Sequence, residues 1–245
     1  MTRYVLQLDR MAVLLCGLAI GVYLLMALSE VANPGSSGMT QSLTPYYAIL
    51  VGVGWGAPVL VRELESGMAV WSWGQGISRG RWFVRRVGPG LVLSAVGAVA
   101  VTLLAWLSTA EWNPGMRADE MTAPTLASQG LAPLSFAIFA FCLGLASGAL
   151  TRRLVPAIGI TLIGEVAAAY VVPELAQNLA PTTRVLVTGM TVAGRPVSGT
   201  PHPGQLLTIA PDSEFWSCEA LIAAVLLGLA AVLFLLSWRV LRQLG

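Results

Sequence analysis

The sequence predicts an all-α membrane protein of six transmembrane helices, and three observations carry that expectation. Six long apolar stretches recur along the 245 residues, 56% of the residues are hydrophobic against 11% charged, and arginines fence the stretches on alternating sides. A soluble chain of this size and composition would have too little polar surface. The stretches cover about residues 11–28, 45–61, 91–107, 131–150, 156–172 and 219–238. Each is close to the ~20 residues that a helix needs to cross ~30 Å of hydrocarbon. Without water in the bilayer core only self-satisfied helices or closed barrels can span it, and the strand-like alternation of a barrel is absent. Residues 1–245 therefore read as a single transmembrane domain.

The arginines set the orientation. All 14 basic residues are Arg, and Arg3, Arg10, Arg62, Arg79, Arg81, Arg85, Arg86, Arg152, Arg153, Arg239 and Arg242 fall on one side of a six-span arrangement together with three acids. The other side holds Arg117, Arg184 and Arg195 with seven acids, so the faces carry net +8 and −4. By the positive-inside rule both termini and the connection 62–90 are cytoplasmic, and the loops 29–44, 108–130 and 173–218 are external. The whole-chain charge of +2 thus reports topology and implies no nucleic-acid partner.

Before the first span, residues 1–10 alternate basic and apolar positions, as a short surface helix or a frayed terminus would. Arg3, Arg10 and the Ala27-Leu28-Ser29 triplet give that span a loose likeness to a secretory signal, but its 18 residues exceed the ~7–15 of a signal core. A loop rich in Pro, Gly and Ser follows. In span two, Gly52, Gly54 and Gly56 form a G-x-G-x-G run. A dinucleotide fingerprint would need a strand before it and a helix opening there, whereas this run lies inside an apolar helix, where close helix packing is expected. Gly17 with Gly21, and Gly144 with Gly148, are small-xxx-small pairs of the same kind, whose partner is either this chain or another copy.

The connection 62–90 is unusual in carrying Glu63 and Glu65 at its start, Trp71, Trp73 and Trp82 within it, and Arg79, Arg81, Arg85 and Arg86 near its end. Such a composition suits an anchor among lipid headgroups or a docking element for a soluble partner, since Trp and Arg are frequent interface hot spots.

These residues also carry a resemblance. Gly56-Ala57-Pro58, Arg62-Glu63-Leu64-Glu65, Gly67, Trp73, Gln75, Ser78-Arg79, Arg81 and Trp82 resemble the segment after the second span in bacterial ABC exporter permeases of the second type, the drug and antibiotic exporters of high-GC bacteria. Met68 departs from the pattern, which usually has Thr after the glycine. The Glu111-Trp112-Asn113-Pro114 region, the fourth span ending GLASGALTRRLVPA and the entry Asp212–Glu219 into the last span are similar to the same family. The resemblance implies a six-span permease in the bacterial inner membrane whose connection holds a short coupling helix. Arg62, Glu63, Glu65, Gly67, Trp73, Gln75, Arg79, Arg81 and Trp82 would then meet a separate ATP-binding cassette subunit. A P-loop needs a lysine for the phosphates, and this chain contains none. No cofactor is therefore expected on the chain, while ATP and Mg belong on the partner. Two motor copies, and a second permease copy or a related chain, follow from the twofold arrangement such a motor uses.

Glu165 lies mid-way along span five. A centred acid costs about 2.5–3.5 kcal/mol on insertion scales and rarely faces lipid. A hydrogen bond to a neighbouring helix is the plain expectation, with Thr161 one turn earlier as a local partner. The sharper one is that Glu165 and Thr161, with Gly144 and Gly148, line a transport cavity or the seam between two permeases. In the last external loop PELAQNLAP is expected to form a short helix and the rest to be irregular, serving as a gate or as plain solvated loop. An enzyme is poorly served: His202 is the sole histidine, Ser147-Gly148 lacks a base, and Cys16, Cys142 and Cys218 have no ligand spacing and no expected disulfide. The function that the resemblance implies is export of an apolar or amphipathic small molecule, drug-like or antibiotic-like. The competing one is an accessory or sensory membrane protein that recruits a cytoplasmic partner.

Overall fold

The fold is seen in a computed structural model that describes residues 2–32, 39–110, 123–179, 183–186, 191–192, 195–196, 206–209 and 215–243. The segment Glu111–Pro114 and much of 180–214, His202 included, lie outside the described residues. Helix α1 (Thr2–Ala32) is continuous, so the basic start and the first apolar stretch are one helix. Helix α2 (Met39–Val51), a π-helical turn (Gly52–Gly56) and α3 (Ala57–Glu65) together make the second stretch. After it come α4 (Met68–Gly74), α5 (Arg79–Ala110), α6 (Ala123–Ser128), α7 (Ala132–Thr151), α8 (Leu154–Leu179) and α9 (Phe215–Gln243).

Among the described residues, five helical segments are long and apolar enough to cross a membrane: Leu43–Glu65, Arg79–Leu107, Ala132–Thr151, Leu154–Ala176 and Trp216–Gln243. In α1 the apolar part that qualifies among the described residues, Cys16–Glu30, is shorter. The helices overrun the apolar limits read from sequence. At the Arg-rich end α3 reaches Glu65 and α5 begins at Arg79, so the turns between them and α4 occupy far less than residues 62–90.

Helix α7 is the centre of the bundle. Fifteen of its 20 residues are buried, and α9, α8, α3, the π-turn, α2 and α5 all pack on it. Its many Ala, Gly and Ser residues permit this, because small side chains let helix backbones approach closely. A Cβ on Gly144 would stand 2.5 Å from the Ala57 nitrogen and 2.6 Å from the Gly52 oxygen, and one on Gly56 would stand 2.9 Å from the Phe141 oxygen. The G-x-G-x-G run is therefore a helix crossing, with Gly52 and Gly56 at the contact and Gly54 facing open space. Pro58 explains the π-turn beside it. A proline ring clashes with the carbonyl four residues earlier and offers no N–H to it. Widening the preceding turn, with Ala57 N–H bonded to the Gly52 oxygen, relieves that clash.

Two expectations for the last loop are corrected. The PELAQNL segment is no separate helix but the end of α8, which runs through Pro173 to Leu179. Nor is the remainder wholly irregular. Strand β1 (Thr183–Leu186) pairs antiparallel with β4 (Leu206–Ile209), and β2 (Thr191–Val192) with β3 (Arg195–Pro196). Thr, Val and Ile favour the extended backbone in these pairs.

Candidate functional site

The candidate coupling residues fall on the α3–α4–α5 turn at the Arg-rich end. Gly67 and Gly76, with φ of +71° and +81°, make the two reversals that side chains would strain. Between them stands α4, whose Ala69 is buried. Arg86 on α5 bridges Glu63 on α3 at 3.2 Å, their side chains only 8% and 19% exposed. Trp73 meets Trp82 edge-on at 5.6 Å, and the Arg79 guanidinium lies 5.1 Å from the Trp73 ring centre. Arg79 also donates to the Arg242 carbonyl at 2.9 Å, tying the start of α5 to the end of α9. Phe83 continues that seam against Phe234 and Trp238, each at 5.3 Å.

Five members of the sequence-derived set, Glu63, Glu65, Trp73, Arg79 and Trp82, thus have partners inside the chain. Arg62, Gly67, Gln75 and Arg81 are exposed. Trp71, which the family pattern passes over, joins them at 51% exposure. Helical spacing carried the signal, since residues two apart point to nearly opposite faces while four apart share one. Ala69 and Trp73 therefore face the bundle and Trp71 faces away.

Two acids act as caps for helices that lack their own. Helix α7 starts after Leu131, which has no capping side chain, and Glu219 Oε2 on α9 accepts the Leu131 and Ala132 N–H groups at 2.7 and 2.9 Å. Helix α8 follows Arg152-Arg153, and Glu65 Oε1 on α3 accepts the Leu154 N–H at 2.9 Å. The first N–H groups of a helix need an acceptor, and a carboxylate there also meets the positive end of the helix dipole. Because α7 and α8 are consecutive and joined by a tight turn, the two caps stand at opposite ends of the bundle. The turn is closed by Arg152, whose φ of +52° lets its N–H reach the Gly148 oxygen at 3.0 Å.

Inside the bundle Ser147 and Thr161 share a hydrogen bond at 2.8 Å, and Thr161 donates to the Ala157 oxygen at 2.7 Å. Glu165 is 1% exposed and neither carboxyl oxygen has a partner. Both plain expectations for it are corrected: it is not hydrogen-bonded to a neighbouring helix, and Thr161 spends its hydroxyl on Ser147 and Ala157. Gly144 and Gly148 pack within the chain, against Ala57, Gly52 and Val61.

The family description "ABC-2 membrane transporter related" matches residues 25–177, more than half of the chain. The chain belongs to this family. An ABC-2 related chain is the membrane component of a transporter, which implies an ATP-binding cassette partner, and with its apolar helices it is a multi-pass membrane protein. No curated protein and no solved structure matches it. The ABC-2 region runs from within α1 into the last turns of α8 and includes the Glu63–Arg86 bridge, the Glu65 cap and Glu165. Helix α9, with Glu219, lies beyond it.

Sequence reasoning gave Glu219 no role in this ABC-2 chain. The clue was Gln129-Gly130-Leu131 ahead of an apolar run, a helix start without Ser, Thr, Asp or Asn to cap it. It also missed a polar cluster between α1, the second stretch and α5. There Trp55 Nε1 donates to Ser94 Oγ at 2.7 Å, Tyr47 donates to the Ser94 oxygen at 3.3 Å, and Cys16 lies 3.7 Å from the Tyr47 hydroxyl.

Proposed function

We propose that this ABC-2 chain is the permease subunit of an ATP-driven exporter in a bacterial inner membrane, moving an apolar or amphipathic small molecule out of the cell. It works as a pair, with a second copy or a related permease, on two copies of a separate ATP-binding subunit. The observation that carries this reading is the family match across the α3–α4–α5 turn, whose inner face is braced and whose outer face presents Trp71. The absence of lysine from the 245 residues, where a P-loop requires one, supports a motor that lies outside them. The arginine bias makes the Arg-rich end cytoplasmic, where such a motor works.

In this reading Trp71, Arg62, Gln75 and Arg81 meet the ATP-binding subunit. Glu63, Arg86, Trp73, Arg79 and Trp82 stiffen the turn so that it moves as one piece, and Glu65 passes the movement to α8 through the Leu154 N–H. Driving a permease from 1:99 to 99:1 between inward and outward states takes ~5.5 kcal/mol of preference by the motors. A braced connection transmits such a preference where a loose loop would dissipate it.

Purification of the protein in mild detergent from its native membrane tests the proposal. An ATP-binding subunit is expected to accompany the wild-type chain and to be lost from Trp71→Asp at unchanged thermal stability. Recovery of no ATPase, under conditions that keep other transporters intact, would overturn it in favour of an accessory membrane protein.

A further inference from the structure

Among the described residues Glu165 is the one place where a charge-bearing side chain is enclosed with no hydrogen-bond partner for either carboxyl oxygen. It lies roughly three to four turns from each end of α8. The elements packed against α8 are α7, α3, α9, α6, α2 and the π-turn. Their charged residues among those described are Arg62, Glu63 and Glu65 at the Arg-rich end of α3, Glu219 in the first turns of α9, and Arg239 and Arg242 in its last. No cation stands at the level of Glu165, and the chain has no lysine to send there. Nearby hydroxyls are committed elsewhere, Ser147 and Thr161 to each other and to the Ala157 oxygen.

A buried polar group with no partner calls for a reason beyond packing, and an acid inside a membrane span marks a functional site by default. The other buried polar side chains at this crossing show how the fold treats a structural group: Ser147 and Thr161 are both bonded. Glu165 is thus an enclosed acid whose countercharge is not supplied by the described residues. Helix α8 rests on its neighbours through close contacts and hydrogen bonds, among them Ser147–Thr161 and Ser147–Ala157 to α7 and Glu65–Leu154 to α3, so that parting it from α7 exchanges the first two for contacts with what enters. A Cβ on Gly164 would stand 2.7 Å from a Leu143 methyl, and one on Gly52 would stand 2.8 Å from the Thr161 methyl.

We infer that the Glu165 carboxylate is the recognition site for the positive charge of an amphipathic organic cation, whose apolar body takes the space opened when α8 parts from α7 and the second stretch. In the conformation seen here the site is closed. Its opening is linked to the docking turn by the Glu65–Leu154 hydrogen bond at the first residue of the same helix. That the cation is transported rests on the exporter reading; that Glu165 binds it does not.

The test is equilibrium binding of radiolabelled tetraphenylphosphonium to the purified full chain in lipid nanodiscs, with neutral triphenylphosphine oxide as comparison. Wild type is expected to bind the cation saturably, Glu165→Asp to retain most of the affinity, and Glu165→Gln to lose about tenfold or more. Binding of the neutral compound should not distinguish the three. Equal affinity in wild type and Glu165→Gln, or no saturable binding by wild type, overturns the inference. Should Glu165→Gln fail to fold, the wild-type chain decides: saturating cation is expected to slow carbodiimide labelling of Glu165 read by mass spectrometry, and an unchanged labelling rate overturns the site. If the cation fails to bind while the ATP-binding subunit still co-purifies, only the site is lost. Binding of the cation without any co-purifying ATPase overturns the exporter reading instead.

Discussion

The Glu65 carboxylate, at the last residue of α3, accepts the backbone N–H of Leu154, the first residue of α8, at 2.9 Å. One hydrogen bond thus joins the α3–α4–α5 turn to the helix that carries Glu165. Replacing Glu65 by Ala removes the cap and should cost about 0.5–2 kcal/mol, whereas Gln keeps an acceptor and should cost less. Thermal unfolding in detergent checks the order. The mechanical role predicts more: both variants keep the ATP-binding subunit, but Glu65→Ala loses substrate-stimulated ATP hydrolysis to a greater degree than its stability change explains.

The Glu63–Arg86 bridge is mostly shielded from solvent, so each single change leaves a charge without its partner. Glu63→Gln and Arg86→Gln are each expected to lower the melting temperature, and the double variant to lose less than the sum of the two. A coupling of roughly 1–2 kcal/mol in the double-mutant cycle is the expected outcome. Simple additivity would show that the bridge contributes nothing.

Glycines on the two sides of the crossing between α7 and the second stretch should divide by contact. Gly144→Ala drives a methyl into the backbone of Ala57 and Gly52, an overpacking that costs about 1–3 kcal/mol. Gly54→Ala meets nothing within 4 Å and sits in a helical turn, so it should be neutral or stabilising by up to about 1 kcal/mol. Melting temperatures of the two variants side by side separate a true helix crossing from a general intolerance of Gly→Ala changes in the bundle.

Glu219 and Gly130 should behave as a pair. Glu219→Ala strips the acceptor from two N–H groups at the start of α7 and should cost about 1–3 kcal/mol. Gly130 has φ of +60°, and a Cβ there would come within 2.6 Å of Glu219 Oε2. Gly130→Ala is therefore expected to destabilise the wild-type chain more than it does Glu219→Ala, where that contact has gone.

Trp82 and Trp71, both in the α3–α4–α5 turn, predict opposite phenotypes. Trp82→Ala empties a buried aromatic position packed against Trp73 and should cost about 3–5 kcal/mol, seen as a lowered melting temperature. Trp71→Ala should leave the melting temperature alone and weaken retention of the ATP-binding subunit on a co-purification column.

By itself the sequence determined what its composition and periodicity express directly. Apolar runs too long for anything but spans predict helices, the arginines order their ends, and glycine runs inside apolar helices predict close crossings. Gly52 and Gly56 meet that expectation because a missing Cβ is a local property. The residues around Trp73 and Arg79 were legible as a distinct element for the same reason. What the sequence left open depended on which residues far apart in the chain come together. Only the tertiary structure paired Glu63 with Arg86, sent Glu65 and Glu219 to cap helices begun elsewhere, turned Trp71 rather than Trp73 outward, and withheld Thr161 from Glu165. A carboxylate looks alike in sequence whether it faces an arginine, a helix start or nothing, because its partner is set by how helices pack around α7 and not by its neighbours along the chain.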